Sequence, residues 1–269
     1  MPYFEGGRGR LHYRRWPITD PTARIALLPG TGQHSGHYHR FAGALKPAGI
    51  ELWTLDTSGH GLSEGDIDRP GTLPELSADA RAFLDQAPAD SVPLFLMGHS
   101  LGAATAVAAL CPAASATPAL AGLILCGTPR AVLEGRPPKS ARGADPSSAR
   151  GNAVTASRTA DSMRFAVTDS SGGIGRDRSP APDEIAATTD AGSRSRATMG
   201  PVVPEGLPVL FVHGVDDRRT PIEPVRAWAT TVAAEFREYA DAGHDLLHEP
   251  VHAEVSADIA NWVGRIAAC

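Results

Sequence analysis

The stretch FLMGHSLGAATAVAAL, residues 95–110, changes character halfway along its length. Its first residues form an uninterrupted apolar run, which is typical of a strand buried on both faces of a parallel sheet. From Leu101 onward it is rich in alanine, which favours a helix. Gly98 and Gly102 flank Ser100 at the change. The stretch therefore predicts a buried strand, a sharp turn at Ser100 and a helix.

Similar apolar runs occur along the chain, and each is followed by a helical pattern. They cover residues 23–30, 50–56, 92–98, 120–127 and 207–214. Helices are expected at 72–87, which has a threonine and a proline at its start, and at 251–266, where apolar residues recur at helical spacing. Residues 3–16 indicate two strands around a Gly-Gly turn, forming an antiparallel edge. We therefore predict an α/β fold with a mostly parallel central sheet flanked by helices.

The bulk composition limits the classes of protein. With 269 residues, the chain has room for one domain plus an insertion. A net charge of −5 and a pI near 6.0, with both signs scattered, provide no basic surface for nucleic acid or anionic membranes. No apolar segment in the sequence is long enough to predict membrane spanning, and none at the start predicts export. Three widely separated cysteines, Cys111, Cys126 and Cys269, indicate a reducing compartment, and we expect a soluble cytoplasmic protein.

Residues 131–204 differ in composition from the rest of the chain. Alanine, serine, glycine, arginine and aspartate dominate there, and few residues are large and apolar. So little apolar surface cannot offset the conformational entropy that a separate core would cost. We therefore divide the chain into a core, residues 1–130 and 205–269, and a lid insertion at 131–204 after the sixth strand. The lid is expected to be mobile or loosely helical.

The pentapeptide Gly98-His99-Ser100-Leu101-Gly102, between a strand and a helix, has the form of a nucleophile elbow. In this turn the serine takes a strained backbone conformation, and neighbouring glycines leave the room that it needs. The helix that follows directs its positive end and the N–H of Leu101 toward the place where an oxyanion would form. Ser100 is therefore the candidate nucleophile.

A serine hydroxyl needs a base and a carboxylate to become a nucleophile. Asp216 and Asp217 follow the last apolar run, and His244 follows the next strand-like run. The order Ser, Asp, His is the one that this architecture uses. We assign His244 as general base and then acid, and Asp217 as the group that orients it, with Asp216 as the alternative. The N–H of Thr31, after the first apolar run, is the second candidate oxyanion donor.

With these motifs in order, the chain resembles the α/β-hydrolase superfamily, particularly its monoacylglycerol lipase and lysophospholipase-like branch. The matching stretches are PGTGQHSGHY (29–38), DTSGHGLSEG (56–65), GHSLG (98–102), HGVDD (213–217) and DAGHD (241–245). The resemblance covers about residues 23–130 and 205–269. It implies ester hydrolysis through an acyl-enzyme, for which no cofactor is needed, and by this likeness Asp217 matches the family's acid.

Two departures from the family pattern bear on the substrate. Pro29 replaces a histidine that precedes the oxyanion glycine, which removes a side-chain hydrogen bond from that loop. The insertion at 131–204 lacks the apolar surface with which lipases of this branch approach membranes and acyl chains. Both departures argue against long-chain lipid substrates. We expect a small-molecule ester or acyl substrate, with the acyl group, the leaving group and the oligomeric state left open.

Several histidines are spaced in ways that could also serve a function other than the triad. Two groups have spacings that suggest a metal site: His34 with His37 and His39, and His244 with His248. No cysteine or carboxylate completes a tetrahedral set with either group, so we expect no metal. His60, within the stretch at 56–65, is expected to shape the floor beside the sheet rather than to act chemically.

Two other functions are compatible with the same residues. A thioesterase, acyltransferase or acyl-eliminating enzyme of a biosynthetic pathway would use the same triad. A hydrolase-fold binding protein with a silent pocket commonly lacks part of the triad, whereas this chain retains all three members. The sequence therefore predicts a serine hydrolase that cleaves a carboxylic ester, of the carboxylesterase or monoacylglycerol lipase type.

Overall fold

A computed structural model describes residues 1–110, 119–129, 132 and 203–268. These residues belong to one compact unit, Met1–Ala144 with Thr198–Cys269, and the second unit, Asp145–Ala197, lies outside them. The strands are β1 (Tyr3–Gly6), β2 (Gly9–Trp16), β3 (Ala23–Leu28), β4 (Ile50–Leu55), β5 (Leu94–His99), β6 (Gly122–Cys126), β7 (Val209–Gly214) and β8 (Glu235–Tyr239). The α-helices of the described ranges are α1 (His39–Leu45), α2 (Leu73–Leu84), α3 (Leu101–Leu110), α4 (Ile222–Thr231) and α5 (His252–Ala267).

All eight strands form one sheet in the order β1-β2-β4-β3-β5-β6-β7-β8. β2 pairs antiparallel with both β1 and β4, and every other pair is parallel. The predicted α/β fold and its antiparallel N-terminal edge are confirmed. The strand order reverses at β3, because β4 lies on one side of it and β5 on the other. Sheets of this kind bind ligands at the carboxyl ends of the strands beside such a reversal.

The strand register brings the predicted site residues to one edge of the sheet. Leu28 of β3 pairs with Gly98 of β5, so the loop after β3 and the turn at Ser100 begin side by side. Gly214 of β7 pairs with Tyr239 of β8, so the segments that carry the two aspartates and the histidine also start together. Four loops therefore leave the sheet at the same edge.

Each face of the sheet carries its own apolar core. Helices α2, α3 and α4 cover one face, and α1 and α5 cover the other. Along β5, Leu96 packs in the first core and Phe95 in the second, as the period of a strand requires. Trp262 of α5 packs edge-to-face on Phe95, with ring centroids 5.7 Å apart. Because both faces are covered, the central strands are buried along their whole length, which explains their apolar runs.

The helices predicted at 72–87 and 251–266 are both present, as α2 and α5. Thr72 precedes α2, and its N–H and hydroxyl both donate to the carboxylate of Glu75, which closes a capping box. Val255, Ile259 and Val263 recur at helical spacing along the buried side of α5. The sequence signals for these helices were therefore the capping residues in one case and the apolar period in the other.

The predicted lid, residues 131–204, lies between β6 and β7 in the chain. Apart from residues 132, 203 and 204, it falls outside the described residues, so the domain boundaries and the lid stay predictions. In the part of the chain that the structure describes, none of the helices combines the length and the apolar character needed to cross a bilayer.

Gly102 is a position where a side chain would disrupt the fold. A Cβ atom there would lie 1.9 Å from the carbonyl oxygen of Leu28, a backbone atom that cannot move aside cheaply. We expect Gly102→Ala to lower the free energy of unfolding by about 3 kcal/mol or more. In contrast, a Cβ at Gly264, on the exposed side of α5, meets nothing within 4 Å.

Gly264→Ala is therefore the matched control for Gly102→Ala. It should raise the free energy of unfolding by about 0.5 to 1 kcal/mol, because alanine favours a helix over glycine. Urea unfolding followed by circular dichroism measures both changes. Equal effects of the two substitutions would show that the close approach of α3 to β3 is not as described.

Candidate active site

Ser100 occupies a strained turn between β5 and α3. Its φ of 51° lies in the left-handed region, which is costly for a residue with a side chain. Its N–H donates to the carbonyl of Cys126 on the neighbouring strand at 2.9 Å, which helps to hold this conformation. A Cβ at Gly98 would lie 2.3 Å from the carbonyl oxygen of Gly102, so both flanking glycines are required by close approach. The strand, sharp turn and helix predicted from residues 95–110 are therefore present.

The structure brings the side chains of Ser100, His244 and Asp217 into one hydrogen-bonded chain. His244 Nε2 lies 2.9 Å from Ser100 Oγ, and His244 Nδ1 lies 2.7 Å from Asp217 Oδ2. Because an ionised carboxylate only accepts, Nδ1 carries the ring proton and Nε2 accepts from the serine hydroxyl. These three residues are far apart in the sequence, and the converging loops at the sheet edge bring them together.

Asp217, rather than Asp216, contacts the histidine. The Asp217 side chain is buried, and its second oxygen, Oδ1, accepts from the N–H groups of Arg219 and Thr220 at 2.8 and 2.9 Å. Burial acts to raise the pKa of Asp217, but the hydrogen bonds from His244 and from these backbone groups outweigh it and hold the pKa below its ordinary value. Asp216 is exposed, and its backbone N–H donates to Ala242. The geometry therefore favours Asp217 for the orienting role.

The two candidate oxyanion donors lie on neighbouring loops. Leu101 is the first residue of α3, and Thr31 lies in the turn after β3. Among the described residues, neither N–H donates to a protein acceptor, which leaves both available to a ligand. Thr31 is exposed at the carboxyl edge of the sheet. Their joint role as an oxyanion hole stays a prediction.

Comparison with known protein families identifies the family of this chain. The family model described as "Serine aminopeptidase, S33" matches residues 19–251. The chain belongs to this family. It is an α/β hydrolase, as the motifs predict, and the match spans both the turn at Ser100 and the loops that carry Asp217 and His244.

Individual relatives agree with this assignment. This hydrolase is 27% identical over 279 residues to the monoacylglycerol lipase of Mycolicibacterium smegmatis, an alignment that covers 96% of this chain and 94% of that one. It is 32% identical over 111 residues to the human monoglyceride lipase, which covers 40% of this chain and 37% of the relative. The structure of Est1E from Butyrivibrio proteoclasticus with bound ferulic acid matches with a TM-score of 0.66, 18% identity and full coverage of both chains. This last likeness concerns the fold.

His213 is a buried neighbour of Asp217 in this hydrolase that the sequence analysis did not single out as functional. Its Nε2 lies 2.9 Å from the carbonyl of Thr220 and 3.5 Å from Asp217 Oδ2. Because a carbonyl only accepts, Nε2 carries the proton and donates to Thr220. Burial lowers the pKa of His213, which favours the neutral ring. It braces the loop that presents Asp217, and its place four residues before that aspartate was the available signal.

Polar side chains on neighbouring loops hold the loop that carries His244. His99, next to Ser100, directs Nε2 at the carbonyl of His244 at 2.9 Å, and burial lowers the pKa of His99 to about 4. Gln33 donates from Nε2 to Asp245 Oδ1 at 3.0 Å, and its oxygen accepts from Gly30 N–H at 3.1 Å. The side-chain amide of Gln33 thus joins the loop of Thr31 to the loop of His244. These contacts span long separations in sequence, so no local pattern signalled them.

The histidines considered as metal ligands are used in other ways. His34 and His37 stack with ring centroids 4.1 Å apart, and His248 binds Asp245 and a backbone carbonyl. His39 lies near the carbonyl of Gly36. Within residues 1–110, 119–129, 132 and 203–268, no group of three His, Cys, Asp or Glu side chains is arranged to hold a metal ion.

The ion pair between His248 and Asp245 makes stability depend on pH. His248 Nδ1 donates to Asp245 Oδ1 at 2.7 Å and Nε2 donates to the carbonyl of His37 at 3.0 Å, so both nitrogens are protonated in this arrangement. The hydrogen bond to Asp245 raises the pKa of His248. Burial acts to raise the pKa of Asp245, but the hydrogen bond from His248 and nearby positive charge lower it to about 2.

The pKa shifts of His248 and Asp245 determine the pH range in which the ion pair stabilises the fold. A raised histidine pKa contributes stability that is full below the unfolded value of about 6.5 and is lost as the pH rises through the folded pKa. A lowered carboxyl pKa contributes stability that is full above about 3.9 and is lost as the pH falls toward the folded value. The pair therefore stabilises the fold most at intermediate pH.

We predict that the free energy of unfolding falls more steeply between about pH 6 and about pH 8.5 in the native chain than in His248→Gln. Urea unfolding at the two pH values measures the difference. His252→Gln is a suitable control, because within the described part of the chain the His252 ring bonds only the backbone carbonyl of Glu249. An equal pH slope in the native chain and His248→Gln would contradict the ion pair.

Proposed function

We propose that this protein hydrolyses carboxylic esters of small molecules by way of an acyl-enzyme on Ser100. One observation carries the proposal: the unbroken chain from Asp217 to His244 to Ser100, with links of 2.7 and 2.9 Å. Nucleophilic serine hydrolysis requires these three groups within hydrogen-bond reach. The serine hydroxyl lies on a strained turn whose shape presents it above the sheet edge.

The first half of the proposed reaction forms the acyl-enzyme. Ser100 Oγ attacks the ester carbonyl while His244 Nε2 takes the hydroxyl proton. The tetrahedral intermediate carries its negative charge on the former carbonyl oxygen, facing the N–H groups of Thr31 and Leu101. The protonated His244 then gives its proton to the departing alcohol oxygen as the carbon–oxygen bond breaks. Asp217 stabilises the imidazolium without accepting a proton.

The second half returns the enzyme to its starting state. His244 takes a proton from a water molecule, whose oxygen attacks the acyl carbon bound to Ser100. The same two N–H groups face the second oxyanion. The proton held by His244 then passes to Ser100 Oγ as the acid leaves. The net reaction is ester plus water to acid plus alcohol, so no cofactor enters the balance.

Substrate class follows from the relatives and from the chain's own composition. Monoacylglycerol and monoglyceride lipases among the relatives favour an ester of a small polyol. Pro29 in the oxyanion loop and the few large apolar residues of 131–204 favour a short acyl group over a long one. The proposal includes 131–204 as a lid over the core formed by 1–130 and 205–269. A cytoplasmic location belongs to the same proposal and is supported by the free thiol of Cys126.

An ester panel tests the proposed function. p-Nitrophenyl esters graded from acetyl to palmitoyl and the matching monoacylglycerols are compared with acyl thioesters and with an aminoacyl p-nitroanilide, and the products are identified. We expect the highest kcat/KM on short esters, with free acid and alcohol as products. A preference for thioesters, or transfer to an acceptor other than water, would favour the thioesterase or acyltransferase alternative. Turnover confined to the anilide would contradict ester hydrolysis.

A further inference from the structure

The turn that carries Thr31 has a defined geometry. Gln33 N–H donates to the carbonyl of Gly30 at 3.1 Å, which closes a four-residue turn. Gly32, its third residue, has a φ of 79°, the value that a type II turn requires at this position. Type I and type II turns differ in the orientation of their central peptide, here the peptide between Thr31 and Gly32. Glycine at the third position permits the type II orientation, and a contact to the central peptide would hold it there.

The buried side chain of His60 contacts this central peptide. Gly32 N–H donates to His60 Nε2 at 3.2 Å, and His60 Nδ1 lies 3.1 Å from the carbonyl of Ser58. Because an N–H only donates and a carbonyl only accepts, Nδ1 carries the proton and Nε2 does not. Both ring nitrogens are thus used by backbone groups, and the neutral tautomer with its proton on Nδ1 is the one that satisfies them.

The contact also fixes the neighbouring carbonyl. In a trans peptide the N–H and the C=O point in opposite directions. With Gly32 N–H directed at His60, the carbonyl of Thr31 points away from His60. The N–H of Thr31 belongs to the preceding peptide, so it does not turn with the central one. The hydrogen bond instead fixes Gly32, and with it the adjacent Cα of Thr31, against the buried ring of His60. The bond from Gly32 therefore favours one arrangement of the turn.

We propose that His60 is a positioning residue of the oxyanion hole, acting through Gly32 on the N–H of Thr31. This inference rests on the proposed ester hydrolysis and adds to it a residue outside the triad. An oxyanion donor acts on charge that develops in the transition state, so its displacement lowers kcat more than it changes KM. His60 thus has a role beyond shaping the floor beside the sheet.

Two polar substitutions separate this role from a structural one. In His60→Asn the amide lies near the position of Nδ1, so it retains a donor for Ser58 but falls short of Gly32. In His60→Gln the longer side chain carries an acceptor to the position of Nε2. We expect His60→Asn to lower kcat about 10- to 100-fold with little change in KM, and His60→Gln to recover most of the loss.

Steady-state kinetics on the best short ester measures both variants, with kcat normalised to the serines that a fluorophosphonate labels at completion. Near-native kcat in His60→Asn, equal losses in the two variants, or a change confined to KM would each overturn the proposal. If the native chain hydrolyses no ester, the proposed function fails instead.

Nitrogen-15 NMR of the native chain tests the contact itself, whatever the variants do. The result expected is a neutral His60 with its proton on Nδ1 and a bare Nε2. A proton on Nε2 at neutral pH would overturn the proposal, because that nitrogen could not accept from Gly32.

Discussion

Ser100→Ala should lower kcat for ester hydrolysis by about 10⁵- to 10⁶-fold. The hydroxyl is the atom that forms the covalent bond to the acyl group, and alanine offers no replacement. The N–H groups of Thr31 and Leu101 remain, so a small residual acceleration is expected. Initial rates on a p-nitrophenyl ester, with the native chain and the variant at matched concentrations, measure the loss.

Ser91→Ala is the matched control for this substitution. Ser91 is exposed and lies before β5, away from the triad. Its replacement should leave kcat and KM unchanged. Circular dichroism should show that both variants unfold at temperatures near that of the native chain. Turnover by Ser100→Ala within tenfold of the native rate would refute the assignment of the nucleophile.

Asp217→Asn should lower kcat by about 10³- to 10⁴-fold, whereas Asp216→Asn should change it by less than about twofold. An asparagine amide at 217 can donate to His244 Nδ1, which favours the tautomer with the proton on Nε2. That tautomer cannot accept the proton of Ser100. Asp216 is exposed and bonds the loop only through its backbone, so its side chain has no such effect.

The pair of aspartate variants decides between the two carboxylates that the sequence left open. Both carry the same chemical change one residue apart, so effects on net charge cancel in the comparison. The pH dependence of kcat provides a second reading, since Asp217→Asn should shift activity toward higher pH, where hydroxide replaces part of the lost general base. A larger loss in Asp216→Asn than in Asp217→Asn would contradict the geometry of the loop after β7.

Much of the fold could be predicted from the sequence because its signals are local. A strand buried on both faces must be apolar throughout, and the five runs that match β3, β4, β5, β6 and β7 have this property. The turn at Ser100 could also be predicted, because the start of α3 lies so close to β5 and to the end of β3 that only glycine fits at 98 and 102. The order Ser, Asp, His along the chain then predicted that His244 and an aspartate lie at the same edge of the sheet as Ser100.

The rest of the site depends on contacts that no local pattern encodes. Asp216 and Asp217 are adjacent and chemically identical, so residue type does not distinguish them. The likeness to the family favours Asp217, and the path of the loop after β7 is what places its carboxylate on His244. His99, His213 and Gln33 act through backbone groups far away in the sequence, so their residue types alone carry no role. His60 was read as part of the floor because its partner, Gly32, lies on another loop.

The central claim is that Ser100 captures the acyl group of an ester, and one measurement tests it most directly. Rapid quenching of the enzyme during turnover of a slow ester, followed by peptide mapping in a mass spectrometer, locates the covalent intermediate. The account predicts an added acyl mass on the peptide that contains Ser100, absent from Ser100→Ala and longer-lived in Asp217→Asn. Ester turnover with the acyl group on another residue, or with no acyl-enzyme under conditions that trap one, would contradict it.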